Sequence, residues 1–226
     1  MIDNLKVLMK KIPVVGPFLM RFRQRHFRDS SRYWEKRYTA GGNSGSGSFG
    51  QLAEFKALFL NSFVAEDSIR SVIEFGCGDG SQLKLAQYPN YIGIDISAQA
   101  VGICRSLYAK DASKVFFQSD ELTGDAVADL ALSLDVIYHL VEDHVFEKYM
   151  RNLFAHARRF VIVYPSNLEQ DTDSMHVRHR QFTRWVDQNE PDWQLQKTIK
   201  NAFPFDPSNA DNTSLADFYV FVRRNL

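Results

Sequence analysis

The sequence predicts an α/β protein built on a mostly parallel sheet covered by helices on both faces. Three observations carry this reading. Short, nearly continuous apolar runs alternate with helical patterns from Ser71 to Tyr164, the signature of strands buried on both sides. One of these runs, Ser71–Phe75, passes directly into Gly76-x-Gly78-x-Gly80 and then a helical segment. Finally, two strand-like segments close the chain with no apolar crossover helix between them, so they pair antiparallel at one sheet edge.

The elements follow in order. Ser31–Tyr38 (SRYWEKRY) reads as a short helix. Residues 41–50 (GGNSGSGSFG) hold five of the 12 glycines, so they form a loop. It is either a passive linker or a segment that closes over a ligand, and too little chain precedes it to make a domain. Phe55, Leu58, Phe59 and Phe63 fall on one helical face. Strands are expected at Ser71–Phe75, Tyr91–Asp95, Lys114–Gln118, Asp129–Leu134 and Arg159–Tyr164. Between them lie helices at Ser81–Gln87, Ala98–Ala109 (with Ser97 as its cap) and Glu142–His156. Phe182–Gln188 is a helix, Trp193–Ile199 and Asp217–Arg223 are strands, and residues 203–214 join those two strands.

Composition narrows the functional classes. The chain has 226 residues, of which 45% are hydrophobic and 24% charged, and this excludes disordered and fibrous chains. No apolar run reaches the roughly 18 residues of a membrane span, and Pro13 and Gly16 interrupt the N-terminal apolar stretch. Cys77 and Cys104 make neither a disulfide framework nor a four-ligand zinc site, so the cytoplasm is the expected compartment and no metal is expected. The 27 basic and 27 acidic residues balance, yet residues 1–28 carry seven Lys and Arg against Asp3 alone. With Ile2, Leu5, Leu8, Met9 and Ile12 at helical spacing, that end is either a packed helix with a solvated basic face or a peripheral contact with the anionic inner membrane.

The stretch VIEFGCGDG (Val72–Gly80) is the most informative. Glycines in a strand–turn–helix let a ligand approach the backbone. Ser81 stands where a dinucleotide fingerprint wants its third glycine, and Glu74 is poor company for a pyrophosphate. An acid there suits a ligand carrying an ammonium and a sulfonium. Asp95, 19 residues after Gly76 at the end of the second strand, is either a ribose-diol acceptor or the cap of the next helix. Asp120, after the third strand, is placed to accept from an adenine amino group.

These residues resemble a class I S-adenosylmethionine-dependent methyltransferase. Glu74-Phe-Gly-Cys-Gly-Asp-Gly80 is similar to that family's E/D-x-G-x-G-x-G motif, Tyr91-Ile-Gly-Ile-Asp95 to its ribose-binding strand, and Leu132–Leu140 to its segment after strand four. The resemblance covers about residues 30–224 and implies a Rossmann-like, doubly wound seven-stranded sheet of order 3-2-1-4-5-7-6. It divides the chain into N-terminal helices with a Gly/Ser lid loop (1–50) and the methyltransferase domain (51–226). It implies S-adenosyl-L-methionine as cofactor, held by Tyr33, Trp34, Arg37, Glu74, Gly76, Gly78, Asp95, Ile96, Asp120, Glu121, Leu134 and Asp135. The Tyr33-Trp34-x-x-Arg37-Tyr38 segment reads either as a lid whose rings attract a sulfonium or as ordinary core packing.

Methyl transfer needs a general base only for a protonated acceptor. His139, after strand four, is a catalytic candidate, a substrate donor or simply a helix-start residue. His176, Arg178, His179 and Arg180 lie in a 16-residue polar stretch, Ser166–Gln181, that is long for a passive connection. They read as an anion site, with His179 a second catalytic candidate, or as a solvated basic turn. Tyr38, Ser46, Ser48 and Tyr138 complete the expected acceptor contacts.

The whole-chain pattern is also similar to methyltransferases encoded with bacterial capsule and O-antigen enzymes. That likeness implies an anionic or nucleotide-linked small-molecule acceptor, methylated on a sugar hydroxyl, a phosphate or a phosphoramidate. The alternatives are N-methylation of a small amine or amino sugar, and a cofactor-binding module without turnover. Nucleic acid is not expected as a partner, because no broad basic face and no N/D-P-P-Y/F signature is present.

Overall fold

The computed structural model describes residues 29–224. The basic segment 1–28, with its expected helix and membrane contact, lies outside the described residues. Helix α1 (Ser30–Thr39) is followed by a 3₁₀ turn (Ser46–Ser48) and helix α2 (Gly50–Glu66). The sheet is built from β1 (Val72–Phe75), β2 (Tyr91–Asp95), β3 (Lys114–Gln118), β4 (Ala128–Leu134), β5 (Ala157–Tyr164), β6 (Trp193–Ile199) and β7 (Phe218–Arg223). Helices α3 (Ala98–Leu107), α4 (Asp143–Ala155) and α5 (Phe182–Asn189) lie between strands.

The seven strands run in the order β3-β2-β1-β4-β5-β7-β6. β1–β5 are parallel, and β7 pairs antiparallel with both β5 and β6. The Rossmann-like order expected from the resemblance is therefore present. Its physical basis is visible in the strands. Leu130, Leu132, Ile162, Tyr164, Phe218 and Val220 join Leu60 and Val64 of α2 and Val101 and Cys104 of α3 in one core. The alternate residues Ala131, Val161, Val163, Tyr219 and Phe221 join Phe146, Met150 and Phe154 of α4 and Phe182 and Val186 of α5 in the other. With both faces apolar, the central strands β1, β4, β5 and β7 are held between two layers. No described helix is long and apolar enough to cross a membrane.

Several local expectations are corrected. Segment 81–87 makes only one 3₁₀ turn, Gln82–Leu85. Helix α2 does not bury the face of Phe55, Leu58, Phe59 and Phe63: its buried face is Leu52, Ala53, Lys56, Ala57, Leu60 and Val64. Leu58 is 73% exposed, while the three phenylalanines pack at the rim of the core. The helix is rich enough in apolar residues for two faces to compete, and the sheet takes the one with small Ala53 and Ala57, which lets the backbones approach. β6 is exposed along most of its length, and Gln194, Gln196 and Lys197 blunt this edge. α1 starts at Ser30 because Asp29 caps it, accepting from the Arg32 amide at 2.7 Å.

Candidate active site

The strand order reverses between β1 and β4, which opens a crevice at their carboxyl ends. The β1 side is made largely of backbone. Gly76 and Gly78 have φ of 80° and 58°, the left-handed region that glycine adopts without strain. A Cβ on Gly76 would strike Val136, and one on Gly78 would strike Ser44 and lie 2.8 Å from the Tyr38 hydroxyl. The amides of Gly76 and Cys77 both donate to the Ile94 carbonyl, at 2.7 and 3.0 Å, which ties the turn to β2.

Two buried acids flank this turn. Glu74 accepts a hydrogen bond from the Tyr91 hydroxyl at 2.7 Å, and burial pushes its carboxyl up to about 7 despite that bond and the Lys56 charge. Asp95 accepts from the Gly78 and Ser97 amides, each at 2.9 Å. Burial outweighs these bonds and raises it to about 6. Asp95 does not cap α3: the Ser97 hydroxyl does, accepting from the Ala100 amide. Ile96 next to it is 43% exposed and offers an apolar platform. Asp120 is exposed at the end of β3, whereas Glu121 is committed to Arg105 and to the Gln118 amide, both at 2.7 Å. Leu134 is buried in the sheet core.

This set fits the adenosyl cofactor that the resemblance implies. Burial raises both acids, and a ligand that brings an ammonium and a diol would compensate for that desolvation. Glu74, Asp95 and Asp120 would hold those groups, and the Gly76–Gly78 backbone would give them room.

The Gly/Ser segment folds onto the glycine turn. The Ser44 amide donates to Asp79 Oδ2 and the Asp79 amide donates to Ser44 Oγ, both at 3.1 Å. The buried Tyr38 hydroxyl lies 3.0 Å from the same Ser44 oxygen. The Arg37 guanidinium donates to the Asn43 carbonyl at 2.7 Å and lies over the Trp34 ring, so it fastens the loop instead of standing free for a cofactor carboxylate. Ser46 is exposed and Ser48 half-buried in the 3₁₀ turn.

On the β4 side, Asp135 takes φ of 58°, a strained setting for a residue with a side chain. Its Oδ2 meets the Lys56 ammonium at 2.5 Å and its Oδ1 accepts from the Tyr138 hydroxyl at 2.9 Å. His139 Nδ1 donates to the His176 carbonyl at 2.9 Å, because a carbonyl can only accept. Burial lowers this imidazole to about 4, so it is neutral and its Nε2 carries a lone pair. His139 stands edge-on to Trp34 and stacks on His176, which in turn stacks on Tyr33 at 4.4 Å. His179 Nδ1 is 2.6 Å from the buried Ser166 hydroxyl, and burial lowers its pKa as well.

The two arginines of this stretch are not an open anion site. Arg180 donates to the carbonyls of Leu140 and Val141 at 2.7 and 2.8 Å and pairs with Asp143 at 3.1 Å. Arg178 donates to Val141 and pairs with Asp143 at 3.0 Å. Both guanidiniums fasten the 166–181 segment to the start of α4. The carbonyls that end a chain segment are the nearest strong acceptors, and they compete with any ligand.

Sequence reading missed Lys56, Ser44 and Ser166. Lys56 left one signal, a lone charge inside the apolar run Phe55–Leu60. The two serines left only their place in the flagged segments 41–50 and 166–181.

The methyltransferase-domain family matches residues 44–203. Curated proteins gave no match. Among solved structures, the N-methyltransferase NodS from Bradyrhizobium japonicum WM9 in complex with S-adenosyl-L-homocysteine superposes with a TM-score of 0.66 at 13% identity, covering 87% of this chain and 99% of that one. Magnesium protoporphyrin IX methyltransferase (ChlM) from Synechocystis PCC 6803, with bound SAM, gives 0.61 at 16% identity, covering 87% and 98%. The methyltransferase domain of bacterial CtHen1 gives 0.59 at 18%, covering 76% and 99%. At these identities the likeness is one of fold. On the family match, together with its fold, the chain belongs to the methyltransferase-domain family.

Proposed function

We propose that the protein transfers a methyl group from S-adenosylmethionine to a hydroxyl of a polar small molecule, with a sugar or phosphorylated sugar precursor of a surface polysaccharide as the acceptor class. The observation that carries the hydroxyl reading is the pair of neutral imidazoles beside the crevice. His139 has its tautomer fixed by the His176 carbonyl, and His179 is anchored by Ser166. A hydroxyl must lose its proton as the methyl arrives, and an imidazole with a free lone pair takes it. When Nδ1 of His179 donates to Ser166, its Nε2 is that base. Phosphate or carboxylate acceptors need no base and would instead need free cations, yet Arg178 and Arg180 are both engaged.

The cofactor supplies an electrophilic methyl group when bound. The chain's own work is to hold it with Glu74, Asp95 and Asp120, to cover it with Trp34 and the Ser44 loop, and to receive the acceptor's proton at His179. Incubation with methyl-labelled cofactor and a panel of nucleotide sugars, phosphosugars and amino sugars tests this. Label on a hydroxyl of a sugar is the expected result. Label only on nitrogen, or failure of the wild-type protein to bind S-adenosylhomocysteine, overturns the proposal.

A further inference from the structure

Lys56 is 1% exposed, and its ammonium sits on Asp135 at the first position after β4. Burying a lysine is costly unless it is paired, so a pair in this place needs a reason. Its surroundings supply one. Both oxygens of Asp135 are taken, Oδ2 by Lys56 and Oδ1 by Tyr138. A Cβ on Gly47 would lie only 2.7 Å from Oδ2, so the Ser46–Ser48 turn closes over the same carboxylate. The Lys56 charge also reaches Glu74, whose carboxyl it pulls down against the effect of burial. The crevice thus has two electrostatic halves. On the β1–β2 side no cation among the described residues forms an ion pair with Glu74 or Asp95, and Lys56 acts on Glu74 only without contact; on the β4 side the acid is already neutralised by that lysine.

We propose that Lys56 is a specificity residue that supplies Asp135 with an internal counter-ion and so turns the β4 side of the crevice against cationic amine acceptors. This rests on the hydroxyl reading above and deepens it. A protonated amine entering there gives up its water and finds no unpaired carboxylate in return, because Lys56 already neutralises Asp135. A hydroxyl has no charge to desolvate, so the neutral pair does not penalise it. Lys56 need not touch the acceptor. It acts through Asp135.

The test compares a cation with its neutral counterpart, by calorimetric affinities for S-adenosylmethionine and S-adenosylhomocysteine. Lys56→Met unmasks Asp135 and is expected to shift the ratio about tenfold toward the cation. Lys56→Arg keeps the charge and is expected to leave the ratio within about twofold. Asp135→Asn leaves the ammonium alone and is expected to shift the ratio the opposite way, so the test survives a Lys56→Met protein that fails to fold. With the same variants, transfer to amino sugars relative to their hydroxyl analogues should rise only in Lys56→Met. A ratio that does not move in folded Lys56→Met or Asp135→Asn overturns the inference, as does a wild-type protein that prefers protonated amines. If the wild type binds S-adenosylhomocysteine and only the ratio is insensitive, this inference fails while the cofactor reading stands.

Discussion

The two sides of the crevice are built by different means. On the β1–β2 side, function lies in contiguous sequence. A four-residue strand enters a glycine turn, Glu74 lies two residues before Gly76, and Asp95, at the end of the next strand, accepts from the Gly78 amide. On the β4–β5 side, apart from the local bond from Tyr138 to Asp135, the contacts described join segments further apart: Lys56 to Asp135, Tyr33 to His176, Ser166 to His179 and Arg180 to Leu140. The first side is a backbone shape that a short motif can encode. The second is a set of side chains gathered by the fold.

The sharpest way to break this contrast is at Gly76. Gly76→Val places a branched side chain against Val136 in a left-handed setting, at a cost of about 1–3 kcal/mol in backbone strain before any clash. Cofactor binding should be lost altogether, with no measurable heat in a titration of S-adenosylhomocysteine. Retained binding would show that the turn is not the cradle. Removing the proposed base comes next: His179→Ala should lower kcat by about a hundredfold with cofactor affinity unchanged. A full-rate variant would move the proton to another group.

Asp95→Ala should weaken S-adenosylhomocysteine about tenfold or more, the worth of a pair of hydrogen bonds to a charged group. It also strips the Gly78 and Ser97 amides of their acceptor. The acids make a pH prediction with a definite sign. Folded Glu74 and Asp95 titrate at about 7 and about 6, above their ordinary values of 4.5 and 3.8. The native state therefore keeps protons that the unfolded chain has released. Their contribution to stability is complete below about pH 4 and is lost as pH rises through about 6 to 7. A bound ammonium reverses the preference, so binding near neutral pH should release protons. Titrations in buffers of different ionisation enthalpy would measure that release, and proton uptake would contradict the assignment.

The smallest effect is expected at Arg180. Arg180→Ala should cost about 1–2 kcal/mol of stability, read from the denaturant midpoint, and should change acceptor KM less than about threefold. A large KM change with unaltered stability would restore the arginines to the anion-binding role that the sequence suggests.

Several elements were legible before the structure because their causes are local. The β1 glycine turn, the Ser97 cap and the two antiparallel end strands each follow from a few neighbouring residues. Helix α2 was legible as a helix but not as to its face, since Phe55, Leu58, Phe59 and Phe63 compete with Leu52, Leu60 and Val64, and only packing against β4 and β5 decides. The HVRHR stretch was legible as special, with an anion site and a solvated basic turn both open as readings. Its charges suggest a ligand, but the carbonyls of Leu140 and Val141 lie nearer.

By itself, then, the sequence determined the layered sheet, the glycine cradle and the acids beside it, because periodicity, turn conformation and strand ends are properties of neighbours along the chain. The tertiary structure alone decided which charges are spent and which remain. Whether a carboxylate or a guanidinium can meet a ligand depends on the partner that distant segments bring to it, and Asp135, paired with a lysine 79 positions earlier, shows that no local pattern announces such a partner.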